Sequence, residues 1–70
     1  MSVYKVIEII GTSPDSWEAA AVSAVSKARE TLRELRVAEV VEQDLDLTGF
    51  EPVLFRTKLR ISFKYDDATE

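Results

Sequence analysis

Val53-Leu54-Phe55-Arg56-Thr57-Lys58-Leu59-Arg60-Ile61-Ser62-Phe63-Lys64-Tyr65 alternates without a break. Val53, Phe55, Thr57, Leu59, Ile61, Phe63 and Tyr65 fall on one face, and Leu54, Arg56, Lys58, Arg60, Ser62 and Lys64 on the other. Successive strand residues point to opposite sides of a sheet, so this period-two pattern predicts a long, half-buried strand. One face is apolar and the other basic. The strand therefore needs an apolar partner on one side and an acidic or aqueous one on the other.

Upstream, Thr48-Gly49-Phe50-Glu51-Pro52 is turn chemistry. Before it, Arg36 to Leu47 reads as a second strand. Its second half alternates cleanly and its first half does not, which predicts a bulge or a change of buried face near Val40-Val41. Further upstream, Val3 to Ile10 is rich in β-branched residues, ends at Gly11, and is the remaining strand. Between them, Ser13 followed by Pro14 predicts a helix N-cap and first helical position. Trp17, Ala21, Ala24, Ala28, Leu32 and Leu35 then recur at helical spacing, predicting a helix over Trp17 to Leu35. Ala19, Ala20, Val22 and Val25 widen its apolar area, and the small residues imply close approach to a sheet or a second contact surface. The order is β-α-β-β. A helical crossover leaves the first two strands parallel, and the third returns by a hairpin to fill the slot between them. The predicted fold is a single α+β domain over residues 1–70, one helix on a three-stranded antiparallel sheet, with residues 66–70 a fraying tail.

Seventy residues leave no room for a second core. A chain this short has little net stability from its own core and contains no cysteine for a disulfide, so self-association is expected. The absence of histidine and cysteine removes the commonest general base, the commonest metal ligand and thiolate chemistry. A net charge of −4 disfavours nucleic acid. No apolar run is long enough for a membrane span, the start lacks a signal-peptide order, and a cytoplasmic address is expected.

The acidic residues Glu39, Glu42, Asp44 and Asp46 run beside the basic third strand. They read either as cross-strand ion-pair partners or, through Glu42, Asp44 and Asp46, as oxygen ligands for a hard cation such as calcium. In an extended strand these three share a face at spacings of roughly 6.5–7 Å, too far apart to grip one ion unaided. Carboxylates from a symmetry mate could close the gap. Trp17 reads as core or interface packing, or as a platform for a ligand ring. Arg56 reads as an ion-pair partner or as a ligand contact. Gly11-Thr12-Ser13 is a weak candidate for a phosphate cradle at a helix start, and Asp15 opposes an anion there. No nucleophile–base pairing is present in the pattern, so an enzyme is not expected.

Tyr4-Lys5-Val6-Ile7-Glu8-Ile9-Ile10-Gly11-Thr12-Ser13, Lys27-Ala28-Arg29-Glu30-Thr31-Leu32, Ala38-Glu39-Val40 and Ile61-Ser62-Phe63 together resemble the dodecin family over nearly the whole chain. The resemblance implies a hollow homo-dodecamer with helices outside and sheets curved inward. It also implies paired flavins at subunit interfaces, for storage or photoprotection. The family's ring-stacking tryptophan matches Val37 here, and its ring-edge glutamine matches Arg56. Val37, Gln43 and Arg56 are thus the cofactor-facing positions by resemblance, with both flavin-binding side chains replaced. The set Val37, Glu42-Gln43-Asp44 and Arg56 looks closest to the calcium-dodecin type of the family, for which the resemblance implies calcium binding by the same shell.

Overall fold

The structure is a computed structural model that describes residues 2–49 and 51–64. Strand β1 (Tyr4–Ser13) is followed by helix α1 (Trp17–Arg29), strand β2 (Leu35–Asp46) and strand β3 (Leu54–Lys64). The sheet order is β1-β3-β2, and β3 is antiparallel to both neighbours. The alternating strand thus fills the slot between two parallel strands, as its pattern and the crossover require. Tyr65, the last position of the predicted strand, and the predicted tail lie outside the described residues.

The core follows the odd positions of β3. Leu59 and Ile61 are fully buried against Ala24 and Ala28 of the helix, with Ile7, Ile9, Val25, Leu32 and Leu35 packed around them, and Thr57 is fully buried beneath the helix start. Each fully buried leucine or isoleucine side chain contributes about 1.5–3 kcal/mol. The helix can sit this low because its buried face is alanine (Ala20, Ala24, Ala28) and because Gly11 lies directly beneath it. A Cβ at Gly11 would collide with the Ala20 carbonyl oxygen and come within 2.9 Å of the Ala24 Cβ.

Three local expectations are corrected. The helix N-cap is Ser16, whose Oγ accepts a hydrogen bond from the Ala19 N–H at 2.9 Å, and not Ser13. Ser13 is instead the last residue of β1, opposite Phe55, and its Oγ accepts from the Asp15 N–H at 3.0 Å. Pairing with β3 draws Gly11, Thr12 and Ser13 into the sheet, so this segment is no phosphate cradle on a helix start. The helix also ends at Arg29, short of the predicted Leu35. The N–H groups of Thr31 and Leu32 both bond to the Ala28 carbonyl, Glu34 takes a positive φ of 60°, and Leu35 is already paired with Phe63. Leu32 and Leu35 keep the apolar register of a helix because they still reach the same core from a turn and a strand.

The bulge expected near Val40-Val41 is present as a register shift between Val40 and Glu42, and a second shift lies between Leu35 and Val37. Before the first of these shifts in chain order the strand is just beginning; between the two, Val37 and Glu39 face away from the helix. After the shift at Val41, Glu42, Asp44 and Asp46 do so.

Gly11→Ala is expected to destabilise the fold by at least about 2 kcal/mol, because backbone and not a flexible side-chain end would have to move. Urea unfolding of the two proteins measures this. An unchanged midpoint would show that the helix can lift from β1 without loss.

Candidate functional site

The sheet face opposite the helix is where the charged residues meet. Its middle row is basic, with Arg56, Lys58 and Arg60 on β3. Acids flank it on both sides: Glu8 on β1, and Glu39, Glu42 and Asp44 on β2. Arg60 bonds to Glu8 Oε2 through Nε at 3.2 Å and Nη2 at 3.0 Å, and its Nη1 lies 3.5 Å from Glu39 Oε1. Lys58 Nζ lies 3.6 Å from Glu8 and 4.0 Å from Glu42. The acidic and basic strands thus pair across the hairpin. Exposed pairs of this kind contribute little individually. Their main consequence is register, since a one-residue slip of β2 would turn its acids to the apolar side.

Asp44 is held most firmly. Arg56 grips its carboxylate at two points, Nε to Oδ1 at 2.7 Å and Nη2 to Oδ2 at 2.9 Å. The Asp44 carbonyl oxygen also accepts from the Trp17 indole N–H at 3.2 Å. Trp17 is fixed in turn: its ring meets Phe55 edge-on with centroids 5.0 Å apart, and its own carbonyl accepts from the buried Thr57 hydroxyl at 2.9 Å. Trp17 is therefore a packing residue that ties the helix start to both hairpin strands. Asp46 has a different environment, accepting from the Thr48 N–H at 2.9 Å and hydroxyl at 2.7 Å.

The predicted site residues do not converge within one chain. Glu42, Asp44 and Asp46 share the open face, but no group of three or more acidic side chains able to hold one ion occurs among the described residues. Their oxygens are the right donors for calcium, yet those of Asp44 are both engaged by Arg56. Val37 pairs with Ser62, six positions from Arg56 along β3, which is roughly 20 Å in an extended strand. Gln43 pairs with Thr57 and so lies on the helix side, away from both. No sequence motif marks Glu8, although it serves two bases; its isolation among apolar neighbours in β1 is the available signal.

The Arg56 guanidinium holds the Asp44 carboxyl below the usual carboxylate range, chiefly through its hydrogen bonds. Arg60 does the same for Glu8, with help from Lys58. Asp46 is lowered by the Thr48 hydroxyl and backbone N–H. These acids stay ionised, which suits binding and not proton transfer.

Residues 3–66 match the Dodecin family. The chain is 55% identical over 64 residues to calcium dodecin of Mycobacterium tuberculosis, covering 91% of this chain and 90% of that protein. A crystal structure of that calcium-chelating antigen, described with a novel calcium-binding site, superposes with a TM-score of 0.84 at 51% identity, over 96% of each chain. Dodecin of Streptomyces coelicolor superposes with a TM-score of 0.86 at 31% identity, over 94% of each chain.

Because Glu8, Asp44 and Asp46 have lowered values in the fold, their contribution to stability is complete above the unfolded carboxylate range. It is lost as pH falls through the folded values. With no histidine in the chain, the melting temperature is expected to stay level from pH 8 to 6 and to fall below about pH 4. A thermal melt series over this range checks it. A decline centred above pH 6 would contradict the assignment.

Proposed function

The chain belongs to the dodecin family, and from that premise we propose that it forms a hollow homo-dodecameric shell that binds a small ligand without catalysing a reaction. The observation that most supports the shell is the bareness of β2. Val37 is 61% exposed, with Val40, Val41 and Leu45 also exposed on the strand and Leu47, just past its end, 70% exposed; the strand residues lie on both of its faces. The helix packs mainly over β1 and β3 and covers little of β2. Exposed apolar side chains gathered along one strand in this way are unfavourable in a lone chain and mark an association surface. Val22, 64% exposed on the helix, extends it.

Flavin is not the ligand in this reading. A stacked ring needs an aromatic platform, worth about 1–3 kcal/mol per contact, and Val37 offers none. Arg56, committed to Asp44 by two hydrogen bonds, lacks the paired donor and acceptor of an amide. The resemblance requires both positions to meet one ring, and their separation within a chain means that two chains would supply them.

Calcium is the second reading, favoured by a specific observation. Glu42 is largely exposed and no nearer than 4.0 Å to Lys58, and among the described residues Asp46 is bonded to Thr48 alone. Both carboxylates are open to a cation on the same face. Calcium takes six to eight oxygens, so symmetry-related copies would have to complete the shell around it. The calcium-binding relative supports this reading at the level of the family branch.

Light scattering is expected to give the mass of a homo-dodecamer, and a folded monomer would contradict the shell. Riboflavin fluorescence is expected to be unquenched by the parent chain and quenched by Val37→Trp combined with Arg56→Gln, with Val37→Trp alone recovering only part. Tight binding by the parent would show that these positions are misassigned. For calcium, the melting temperature should rise with added ion and return with chelator.

A further inference from the structure

Two apolar surfaces stay unmatched once helix and sheet have packed, and their shapes differ: one is a valley and the other a ridge. We propose that they fit each other across copies, the valley between α1 and β2 of one chain receiving the outer ridge of β1 from a second copy, head to tail. The proposal rests on the shell reading and names one of the contacts that would build it.

The valley lies on the helix side of the sheet. Val22 and Val25 form one wall, Ala38 and Val40 the other, and Leu59 the floor, around an open volume of about 270 Å³. Val22 and Val40 are more than half exposed, so both walls stand bare in a lone chain. Arg29 lies on the rim and has no acidic partner among the described residues.

The ridge lies at the other edge of the sheet and on its opposite face. Tyr4, Val6, Glu8 and Ile10 alternate toward the open side, and the three apolar ones are each about half exposed. Their neighbours on β3 are Lys64, Ser62 and Lys58, so no apolar side chain of β3 lies beside them. The sheet ends at β1, and an apolar row along a bare edge strand invites pairing with another chain. The one acid of β1 is Glu8. Its Oε2 accepts from Arg60 at 3.0 Å, while its Oε1 has Lys58 at 3.6 Å, beyond hydrogen-bonding length. One carboxylate oxygen on the ridge thus has room for a further guanidinium.

Charge decides between the pairings. Valley against valley would bring Arg29 to Arg29, and ridge against ridge Glu8 to Glu8, and like charges across a contact select against it. Valley against ridge sets Arg29 beside Glu8 and buries apolar side chains from both. The two surfaces lie on opposite faces and at opposite edges of the sheet, so a single two-fold contact cannot bury both. The contact is therefore heterologous, and such contacts must close into a ring or run on without end. A closed shell supplies the closure.

A charge exchange read by light scattering over a dilution series tests this. Val22→Glu and Val6→Glu are each expected to raise the protein concentration at which the assembly dissociates by about tenfold or more, because each places an unmatched charge in the contact. Val22→Glu combined with Val6→Lys in one chain is expected to recover most of that loss. Chains carrying Val22→Glu mixed with chains carrying Val22→Lys are expected to recover nothing, since Val22 does not meet Val22. Single variants that assemble like the parent, a combined variant without recovery, or recovery in the mixture would overturn the proposal. Both positions are exposed in the lone chain, and circular dichroism checks that the fold is kept. If a charged variant does not fold, Val22→Ser and Val6→Ser should weaken assembly in the same direction, and no weakening by either would equally overturn it. A parent with the mass of a homo-dodecamer whose variants behave otherwise removes this contact and leaves the shell standing, whereas a monomeric parent removes both.

Discussion

Strand β3 must bury one face and wet the other, and the rest of the molecule is arranged around that division. Thr57, Leu59 and Ile61 are sealed against an alanine-faced helix, while Arg56, Lys58 and Arg60 point to the opposite side. The dry face fixes where the helix lies, and Gly11 lets it lie there by offering no side chain to the Ala20 carbonyl. The charged face fixes what the neighbours must be. Three bases in one row would repel each other without acids on both sides, and Glu8 from β1 and Glu39, Glu42 and Asp44 from β2 supply them. Register, core and charge pairing are therefore one constraint seen from two sides of a sheet.

The same arrangement leaves the chain incomplete. A helix of 13 residues covers three strands unevenly, and the least covered is β2, with exposed apolar side chains on both faces. The ion pairs do not compensate, because exposed pairs select geometry more than they stabilise it. A small core beside a bare apolar strand is what a subunit of a larger assembly looks like when taken alone. This connects sequence length, through core size, to the shell proposed as its working form.

Much of this was legible in the sequence. The unbroken alternation of β3, the alanine-rich helical stripe and the β-α-β-β order lead directly to the observed sheet order. The lapse in alternation at Val40-Val41 marked the bulge that brings Val37, Glu39, Glu42, Asp44 and Asp46 to one face. Less was legible where tertiary pairing overrode local signals. Ser13 with Pro14 is a good helix start by itself, but ten residues of pairing with β3 carried Ser13 into the sheet and passed the cap to Ser16. Leu32 and Leu35 fit helical spacing because the core accepts them from either conformation. The bond from Trp17 to the Asp44 carbonyl joins residues 27 positions apart through a backbone atom, which no side-chain pattern encodes. Gln43 parted from Val37 and Arg56 because the bulge placed it on the helix side.

As a subunit of the proposed shell, the chain presents an open face that is charged and self-paired, with no platform for a stacked ring. A native mass spectrum of the purified assembly with its co-purified ligands tests that most directly. The expected spectrum is a single species with the mass of a homo-dodecamer and no flavin adduct. A spectrum dominated by the single chain, or a dodecamer carrying flavin, would contradict it.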